Sequence, residues 1–279
     1  MDYQWFPGHM TKAMRQMKED IKLIDLIIEL LDARIPLSSR NPEIDNLGQN
    51  KARLVLLNKA DLADEKQNNK WIEYFKKKGI VALKINSKNK QGIKEINNAV
   101  NIACKENIER NLKRGIKNRP IRAMVVGIPN VGKSTFINAY AGKNCAKTGN
   151  KPGVTKGKQW IRLNKNLELL DTPGVLWPKF DDQKIGMHLA FIGSMNDNIL
   201  DVSELAFQLI KLLENLYPNA IKDRYSIEGD DNILQIMYQI AEVRGCKLKG
   251  NQPDLDKTSK IVLDDFRSGK LGRITLDRN

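Results

Sequence analysis

The chain has 279 residues, of which 41% are apolar, and its formal net charge is +14. This length suits one large domain and a smaller second one, with enough apolar residues for a core. No stretch approaches the roughly 18 consecutive apolar residues of a membrane span, and the polar start at Met1 is unlike a signal peptide. The three cysteines have neither zinc-site nor disulfide spacing. We therefore expect a cytoplasmic protein with reduced thiols and no membrane partner.

The first predicted elements are a helix and a strand. Methionine and isoleucine recur at helical spacing from Met10 to Ile24, and Thr11 is placed to cap an amphipathic helix. The β-branched and leucine-rich run 24–31 then predicts a buried strand that ends at the pentapeptide 32–36, Asp-Ala-Arg-Ile-Pro.

The second predicted strand, 53–57, ends at Asn58-Lys59-Ala60-Asp61, which has the Asn-Lys-x-Asp form of a guanine-reading loop. The Asp61 carboxylate can accept two hydrogen bonds from the guanine ring N–H and exocyclic amine, which adenine does not offer. The stem of Lys59 can cover the base plane, and Asn58 can tie this loop to a phosphate loop. A strand-end turn without a ligand is the alternative.

The next elements continue an alternation of strands and helices. A helix containing Trp71 and Phe75 is followed by a strand at 80–85 and by the tripeptide Asn86-Ser87-Lys88. This tripeptide occupies the place of the Ser-Ala-Lys loop, which usually donates a backbone N–H to the guanine carbonyl, so we expect Asn86 and Ser87 in the guanine pocket. Apolar residues at helical spacing from 93 to 108 predict one long helix.

A phosphate loop follows the next predicted strand, 121–126. The segment 127–134 fits Gly-x4-Gly-Lys-Ser and precedes a helix predicted at 133–141, closed by Gly142. Its backbone N–H groups can wrap phosphates at the helix N-terminus, and Lys133 can neutralise the outer ones. Ser134 is a magnesium ligand in this motif. The predicted phosphate-binding residues are Asn130, Val131, Gly132, Lys133, Ser134 and Thr135.

Two further elements predict the response to the terminal phosphate. Strands at 159–163 and 167–170 precede Asp171-Thr172-Pro173-Gly174, which matches Asp-x-x-Gly. Asp171 would hold magnesium through water, and the Gly174 amide would contact the γ-phosphate. Thr155 is predicted to complete the magnesium coordination. Without the phosphate loop, a simple turn would be the better interpretation of Asp-Thr-Pro-Gly.

The alternation predicts an α/β fold with a doubly wound, largely parallel sheet. Beyond residue 178 the pattern changes to helices near 184–195, 201–216, 231–244 and 256–268, the last capped by Gly269. We therefore predict two domains, a P-loop domain over 1–178, with an N-terminal helical extension, and an all-helical domain over 179–279.

The positive charge lies in the first part of the chain. Residues 1–180 carry a net charge of +17 and residues 181–279 carry −3. The segment 110–165 has 14 Lys/Arg and no acidic residue. A solvated face is the ordinary explanation of a charge run, but one bound nucleotide needs only a few cations. The surplus favours a polyanionic partner such as RNA.

The guanine-reading loop precedes the phosphate loop, the reverse of an ordinary GTPase, so the motifs predict a circularly permuted GTPase. Together with Trp5-Phe6-Pro7-Gly8-His9-Met10, the pentapeptide 32–36 and Arg244-Gly245-Cys246, they resemble the ribosome biogenesis GTPase A family, the YlqF-type permuted GTPases. The resemblance covers nearly the whole chain. It implies a GTP hydrolase that binds the large ribosomal subunit late in assembly and leaves on hydrolysis.

The catalytic group is not evident from the motifs alone. Val175 stands where many GTPases have the glutamine that orients the attacking water. A lone histidine such as His9 is commonly structural, but the resemblance implies a catalytic role for it beside Lys133. GTPases with asparagine at the position of Asn130 bind potassium, which could replace an arginine finger.

The permutation has a mechanical consequence, because the helical domain follows the segment 171–174 directly. Nucleotide state could therefore reorient residues 180–279. The expected function is a GTPase that assembles the large ribosomal subunit, with GTP, GDP, rRNA and ribosomal proteins as partners and magnesium as cofactor. The alternatives are a nucleotide-gated RNA-binding module with incidental hydrolysis and a signalling GTPase with a protein partner.

Overall fold

The computed structural model describes residues 8–117, 119–143, 145, 159–172, 174–177 and 182–279. Within these residues six strands form one sheet: β1 Leu26–Asp32, β2 Ala52–Asn58, β3 Val81–Lys84, β4 Ile121–Val126, β5 Gln159–Asn164 and β6 Leu167–Asp171. The α-helices are α1 Gly8–Asp20, α2 Glu43–Leu47, α3 Glu65–Lys77, α4 Ile96–Ala103, α5 Lys105–Lys113, α6 Lys133–Ala141, α7 Gln183–Phe191, α8 Val202–Leu216, α9 Ala220–Tyr225, α10 Ile233–Val243 and α11 Leu255–Arg267. Among these described helices, none is long and apolar enough to cross a bilayer.

The sheet has the strand order β3-β2-β1-β4-β6-β5. All its neighbouring strands run parallel except β5, which pairs antiparallel with β6. All seven residues of β1 are buried, as expected for a central parallel strand covered on both faces. The predicted doubly wound, largely parallel sheet is therefore confirmed. Its carboxyl-terminal edge gathers the loops that follow β1, β2, β3, β4 and β6.

Two local features, a buried apolar face and an N-cap, explain where helices α1 and α3 form. In α1 the side chains of Met10, Met14 and Met17 are buried on one face, as their spacing predicts. Helix α3 is capped by the preceding residue, Asp64, whose carboxylate accepts hydrogen bonds from the N–H groups of Lys66 and Gln67. These helices are therefore set by an apolar stripe in one case and by an N-cap in the other.

Three predictions of helices need correction. Thr11 lies inside α1 rather than at its cap, since the helix begins at Gly8. The single helix predicted over 93–108 is divided into α4 and α5 at Cys104, whose backbone is not helical (φ −98°, ψ 10°), and α5 has no buried residue. The short helices α2 and α9 were not predicted. The predicted ends at Gly142 and Gly269 are confirmed, with φ of +68° and +80°.

The helical unit α7 to α11 centres on α8 and α11, which pack against each other. Its core is continuous with that of the sheet, since one cluster of buried residues includes Leu26 and Val125 as well as Leu209 and Phe266. The predicted boundary at residue 178 lies outside the described residues.

The C-terminal tail, residues 270–279, returns from the helical unit to the loop after β2. Ile274 donates its backbone N–H to the Leu62 carbonyl at 2.9 Å. The Arg273 guanidinium donates to the Ala60 carbonyl at 3.0 Å. The end of the chain therefore lies against the loop predicted to read the base.

Candidate nucleotide site

The loop 127–134 connects β4 to α6 at the carboxyl edge of the sheet. Gly132 caps α6 with φ +98°, and its carbonyl accepts the first helical hydrogen bond, from Phe136, at 2.8 Å. The first turn, with Ser134 and Thr135, contains no acidic residue. The N–H groups at a helix start have no partner within the helix, so this turn suits an anion such as a phosphate.

Lys133 is buried at the start of α6, with 8% of its surface exposed. Its ammonium donates to the Gly127 carbonyl at 3.3 Å. Burial lowers the pKa of Lys133 to about 8, and the Asp171 carboxylate opposes this change only in part. An anion at this point would therefore relieve the cost of a buried ammonium.

Asn58 joins three loops through its carboxamide. Its Nδ2 donates to the Val131 carbonyl at 2.8 Å, which is the link between the two loops that the sequence predicts. Its Oδ1 accepts from the Ser87 N–H at 3.0 Å and from the Ser87 hydroxyl at 2.8 Å. A Cβ at Gly132 would lie 2.6 Å from the Asn58 Nδ2, so this close approach requires glycine.

The loop after β3 is held by the side chains of Asn58 and Asn86. The backbone N–H of Ser87 donates to Asn58 Oδ1, and the contact of this loop with the guanine carbonyl stays a prediction. Asn86 is buried, and its Oδ1 accepts the N–H groups of Lys88 and Asn89. Both residues therefore shape the loop after β3 through their own hydrogen bonds.

Lys59 and Asp61 lie on the two sides of the loop after β2. The Lys59 ammonium donates to the Asn130 carbonyl at 2.8 Å, so the lysine stem spans the gap between this loop and the phosphate loop. Asp61 is exposed and lines a cavity of about 750 Å³ together with Ile85 and Arg273. The carboxylate of Asp61 is therefore accessible to a ligand, although the described lining of this cavity runs along β3 and includes neither Lys59 nor the phosphate loop.

Asp171 and Gly174 lie beside the phosphate loop. Asp171 ends β6, next to β4 in the sheet, and its carboxylate is close enough to influence the pKa of Lys133. A Cβ at Gly174 would lie 2.9 Å from the Lys133 Nζ and 3.0 Å from the Pro129 Cα. Glycine therefore lets this backbone approach the lysine that would bind the outer phosphates.

Parts of the predicted site lie outside the described residues. These are Thr155, Pro173 and the lysines 147, 151, 156 and 158. The backbone of His9 lies in α1, and its side chain is outside the described part of the structure.

Two contacts of the site were not predicted from the sequence. The Asp32 carboxylate lies 3.0 Å from the Lys59 ammonium. The Asn130 carboxamide donates to the Gly193 carbonyl of the helical unit at 2.6 Å. The pentapeptide that begins at Asp32 was a signal for the first contact. Nothing in the local sequence indicates the second, because its partners are 63 residues apart.

A phosphate loop, an Asn-Lys-x-Asp loop and an Asp-x-x-Gly segment at one edge of a parallel sheet, in permuted order, define a circularly permuted P-loop GTPase. The chain is 51% identical to "Ribosome biogenesis GTPase A" of Bacillus cereus, over 99% of this chain and 94% of that protein. It is 47% identical to the protein of the same name from Bacillus licheniformis, over 100% and 99% of the two chains. The chain belongs to the ribosome biogenesis GTPase A family.

Two other comparisons agree with this membership. Residues 122–237 match the family model described as "50S ribosome-binding GTPase". The structure of GNP-bound YlqF from T. maritima superposes with a TM-score of 0.69 at 28% identity, covering 96% of this chain and 98% of that one. The predicted family and fold class are confirmed, and the protein is a GTPase. Its nucleotide binding is magnesium dependent, as the family implies.

Proposed function

We propose that the protein is an assembly factor for the large ribosomal subunit, which binds precursor particles with GTP and leaves after hydrolysis. The observation that carries the proposal is the placement of two features at opposite ends of β4. The strand runs into the phosphate loop at its carboxyl end and is entered at its amino end through residues 110–119, the part of the basic run that we call the basic segment. The names of its relatives, given above, support a ribosomal partner.

The basic segment suits RNA by its charge and exposure. Its described cations are exposed and comprise Arg110, Lys113, Arg114, Lys117 and Arg119. Arg119 has an acidic neighbour, Asp25, at 3.2 Å. The segment meets β4 about 17 Å from the phosphate loop, at about 3.3 Å per strand residue. RNA bound there would leave the nucleotide site open.

We assign the guanine base to Asn58, Lys59, Asp61, Asn86 and Ser87. The phosphates are assigned to the backbone and side chains of Asn130, Val131, Gly132, Lys133, Ser134 and Thr135, with Gly174 at the γ-phosphate. The buried Lys133 and the open helix start at Ser134 fit this ligand. Ser134, Thr155 and Asp171 would hold magnesium, which neutralises phosphate charge when bound.

Potassium is proposed beside Asn130. This residue has left-handed backbone, with φ +59°, and its carboxamide is oriented by the bond to Gly193. Asparagine tolerates this conformation better than most residues. Its side-chain oxygen is the ligand that we assign to a monovalent cation.

Hydrolysis requires a polar group other than residue 175. Val175 and Leu176 are buried and apolar, so neither side chain can orient water. We assign this role to His9, with Lys133 stabilising the phosphate charge. His9 belongs to the N-terminal extension, so contact with the particle could bring it toward the γ-phosphate. Hydrolysis would then depend on docking, as an assembly checkpoint requires.

In this proposal the predicted domain 1–178 binds GTP and RNA, and the predicted domain 179–279 changes its orientation with the nucleotide state. The protein would act in the cytoplasm. A turnover assay with and without large subunits tests the proposal. Marked stimulation by large subunits, and little by small subunits, is expected. Equal turnover in all three conditions would favour the alternative, an RNA-binding module with incidental hydrolysis.

A further inference from the structure

Asp32 and Arg34 form a buried ion pair at the end of β1. The Arg34 guanidinium donates to both carboxylate oxygens, from Nε at 2.9 Å and from Nη2 at 2.8 Å. Asp32 is 0% exposed and Arg34 is 1% exposed. Burial excludes both side chains from contact with an external partner. Their role must therefore lie within the molecule.

One side of the pair faces the nucleotide site. The Asp32 Oδ2 atom lies 3.0 Å from the Lys59 ammonium. That ammonium also donates to the Asn130 carbonyl in the phosphate loop. Asp32 therefore sets the position of a side chain that joins the guanine-reading loop to the phosphate loop.

The other side of the pair faces the helical unit. Arg34 Nη1 donates to the Arg267 carbonyl at 3.2 Å and to the Phe266 carbonyl at 3.4 Å. The guanidinium also lies over the Phe266 ring, 5.4 Å from its centroid. Carbonyls at a helix C-terminus carry partial negative charge and favour a cation. Arg34 therefore caps the last turn of α11.

A second path returns from α11 to the phosphate loop. The Arg267 side chain donates to the Phe191 carbonyl at 2.9 Å and to the Ala190 carbonyl at 2.8 Å, at the end of α7. Two residues later, the Gly193 carbonyl accepts from the Asn130 carboxamide. The polar contacts thus close into a ring that passes through the phosphate loop, the guanine-reading loop, β1, α11 and α7.

We propose that Asp32 and Arg34 are positioning residues that couple the nucleotide site to the helical unit. The coupling rests on the proposed function, because it requires that Lys59 and Asn130 contact the nucleotide. The charged hydrogen bonds of the buried Asp32 and Arg34 cannot be exchanged for water without cost, so a shift at either residue displaces its neighbours in the ring. The nucleotide then shifts the helical unit by acting on Lys59 and Asn130, and the helical unit acts on nucleotide affinity in return.

Hydrogen exchange on the intact chain tests the coupling. Amide protection is measured without nucleotide and with saturating GDP or GTP analogue. Saturation ensures that a variant with lower nucleotide affinity is still fully bound. In the wild type, nucleotide should raise protection in the phosphate loop and also in 190–194 and 264–277. Arg34→Lys keeps the positive charge beside Asp32. Lysine lacks the planar guanidinium, whose several N–H groups contact Asp32 and the α11 carbonyls at the same time. We expect it to lose more than half of the additional protection in 190–194 and 264–277.

Arg267→Lys cuts the same ring at a second point and should have the same effect. Its side chain is 20% exposed, so this variant carries the test if Arg34→Lys does not fold. Glu29→Gln is the matched control. Glu29 is a buried carboxylate on the same strand, paired with Arg40 and Arg53 outside the ring. This control should keep the wild-type response.

The outcomes separate the coupling from the nucleotide site. Wild-type protection that stops at the phosphate loop would overturn the coupling and leave the nucleotide site intact. Lysine variants that respond like the wild type, or a control that loses the response equally, would also overturn it. No protection of the phosphate loop in the wild type would instead count against the assigned nucleotide site.

Discussion

The Asn58 carboxamide donates to the Val131 carbonyl at 2.8 Å, which places the guanine-reading loop directly against the phosphate loop. In sequence these residues are 73 positions apart, and the guanine-reading loop comes first. Because the contact joins the loops at the carboxyl ends of β2 and β4, which flank β1 in the sheet, it is unaffected by the order of the motifs along the chain. This geometry explains how a permuted chain keeps a GTPase site.

Asp61→Asn should weaken guanine binding by about 1.5–3 kcal/mol, the worth of a hydrogen bond to a charged group, or roughly ten- to a hundredfold. Xanthine nucleotides should be bound better, because xanthine has a carbonyl oxygen in place of the exocyclic amine of guanine and this oxygen can accept from an amide N–H. Titration with GDP and with xanthosine diphosphate measures both effects. Unchanged guanine affinity would remove Asp61 from the pocket.

Binding to the large subunit should weaken steeply with salt if the basic segment contacts rRNA, with a slope near minus one per phosphate contact. Replacement of Lys113, Arg114 and Lys117 by Ala should lower the slope and leave GDP affinity almost intact. Co-sedimentation over a salt series measures this.

The control variant replaces three exposed lysines of α3, Lys66, Lys70 and Lys77, by Ala. It removes equal charge from another surface and should keep the wild-type slope. A flat salt dependence of the wild type would mean that the charge in the basic segment is only solvated.

His9→Ala should leave GTP and GDP affinities within a factor of about three and lower particle-stimulated turnover roughly 10²-fold, the low end for a positioned acid–base group. The variant should also remain on the subunit, because release follows hydrolysis. Lys12→Ala, an exposed position on the same helix, should turn over normally. Surviving turnover in His9→Ala would make His9 structural, with catalysis dependent on potassium at Asn130 or on a ribosomal group.

Nucleotide affinity should depend on pH through Lys133, whose pKa burial lowers to about 8. Phosphates favour the ammonium, so binding above pH 8 must take up a proton, and affinity should fall by up to tenfold per pH unit. Calorimetry at pH 8.5 in buffers of different ionisation enthalpy detects this uptake. Lys133→Arg, whose guanidinium stays protonated, should show none. Equal uptake in both proteins would assign the proton to another group.

Folding stability should fall in acid through Asp32. Burial alone would raise the pKa of Asp32, but attraction to Arg34 and Lys59 outweighs it and holds this pKa well below its usual range. A depressed carboxyl pKa stabilises the fold above the unfolded value of about 3.9, and this stability is lost as pH falls below it. Asp32→Asn should cost about 3–5 kcal/mol at pH 7, because Arg34 loses its buried partner.

Urea unfolding between pH 7 and pH 3 checks this prediction. The variant should lose less stability than the wild type over the acid range, since it has no carboxylate to protonate at residue 32. Parallel losses in the two proteins would show that other carboxylates account for the acid sensitivity.

The sequence by itself determined the strands, helices and loops that depend only on residues close together in the chain. The phosphate loop lies between a strand and a helix that are adjacent in the chain, and the predicted bounds 121–126 and 133–141 agree with β4 and α6. The permuted motif order and the largely parallel sheet follow from the same local patterns. Where burial changes without a change of pattern, as at Cys104, the single predicted helix was wrong.

Only the tertiary structure decided how the parts of the site are joined. The N–H of Ser87 donates to Asn58, 29 residues away, and Arg34 caps a helix end 233 residues away. The tail places Arg273 on the Ala60 carbonyl, 213 residues away. Such partners are chosen by the packing of strands and helices, which brings a donor and an acceptor together and removes the water that would otherwise satisfy them. A local pattern identifies the groups that need a partner, and only the packed fold determines which partner each one receives.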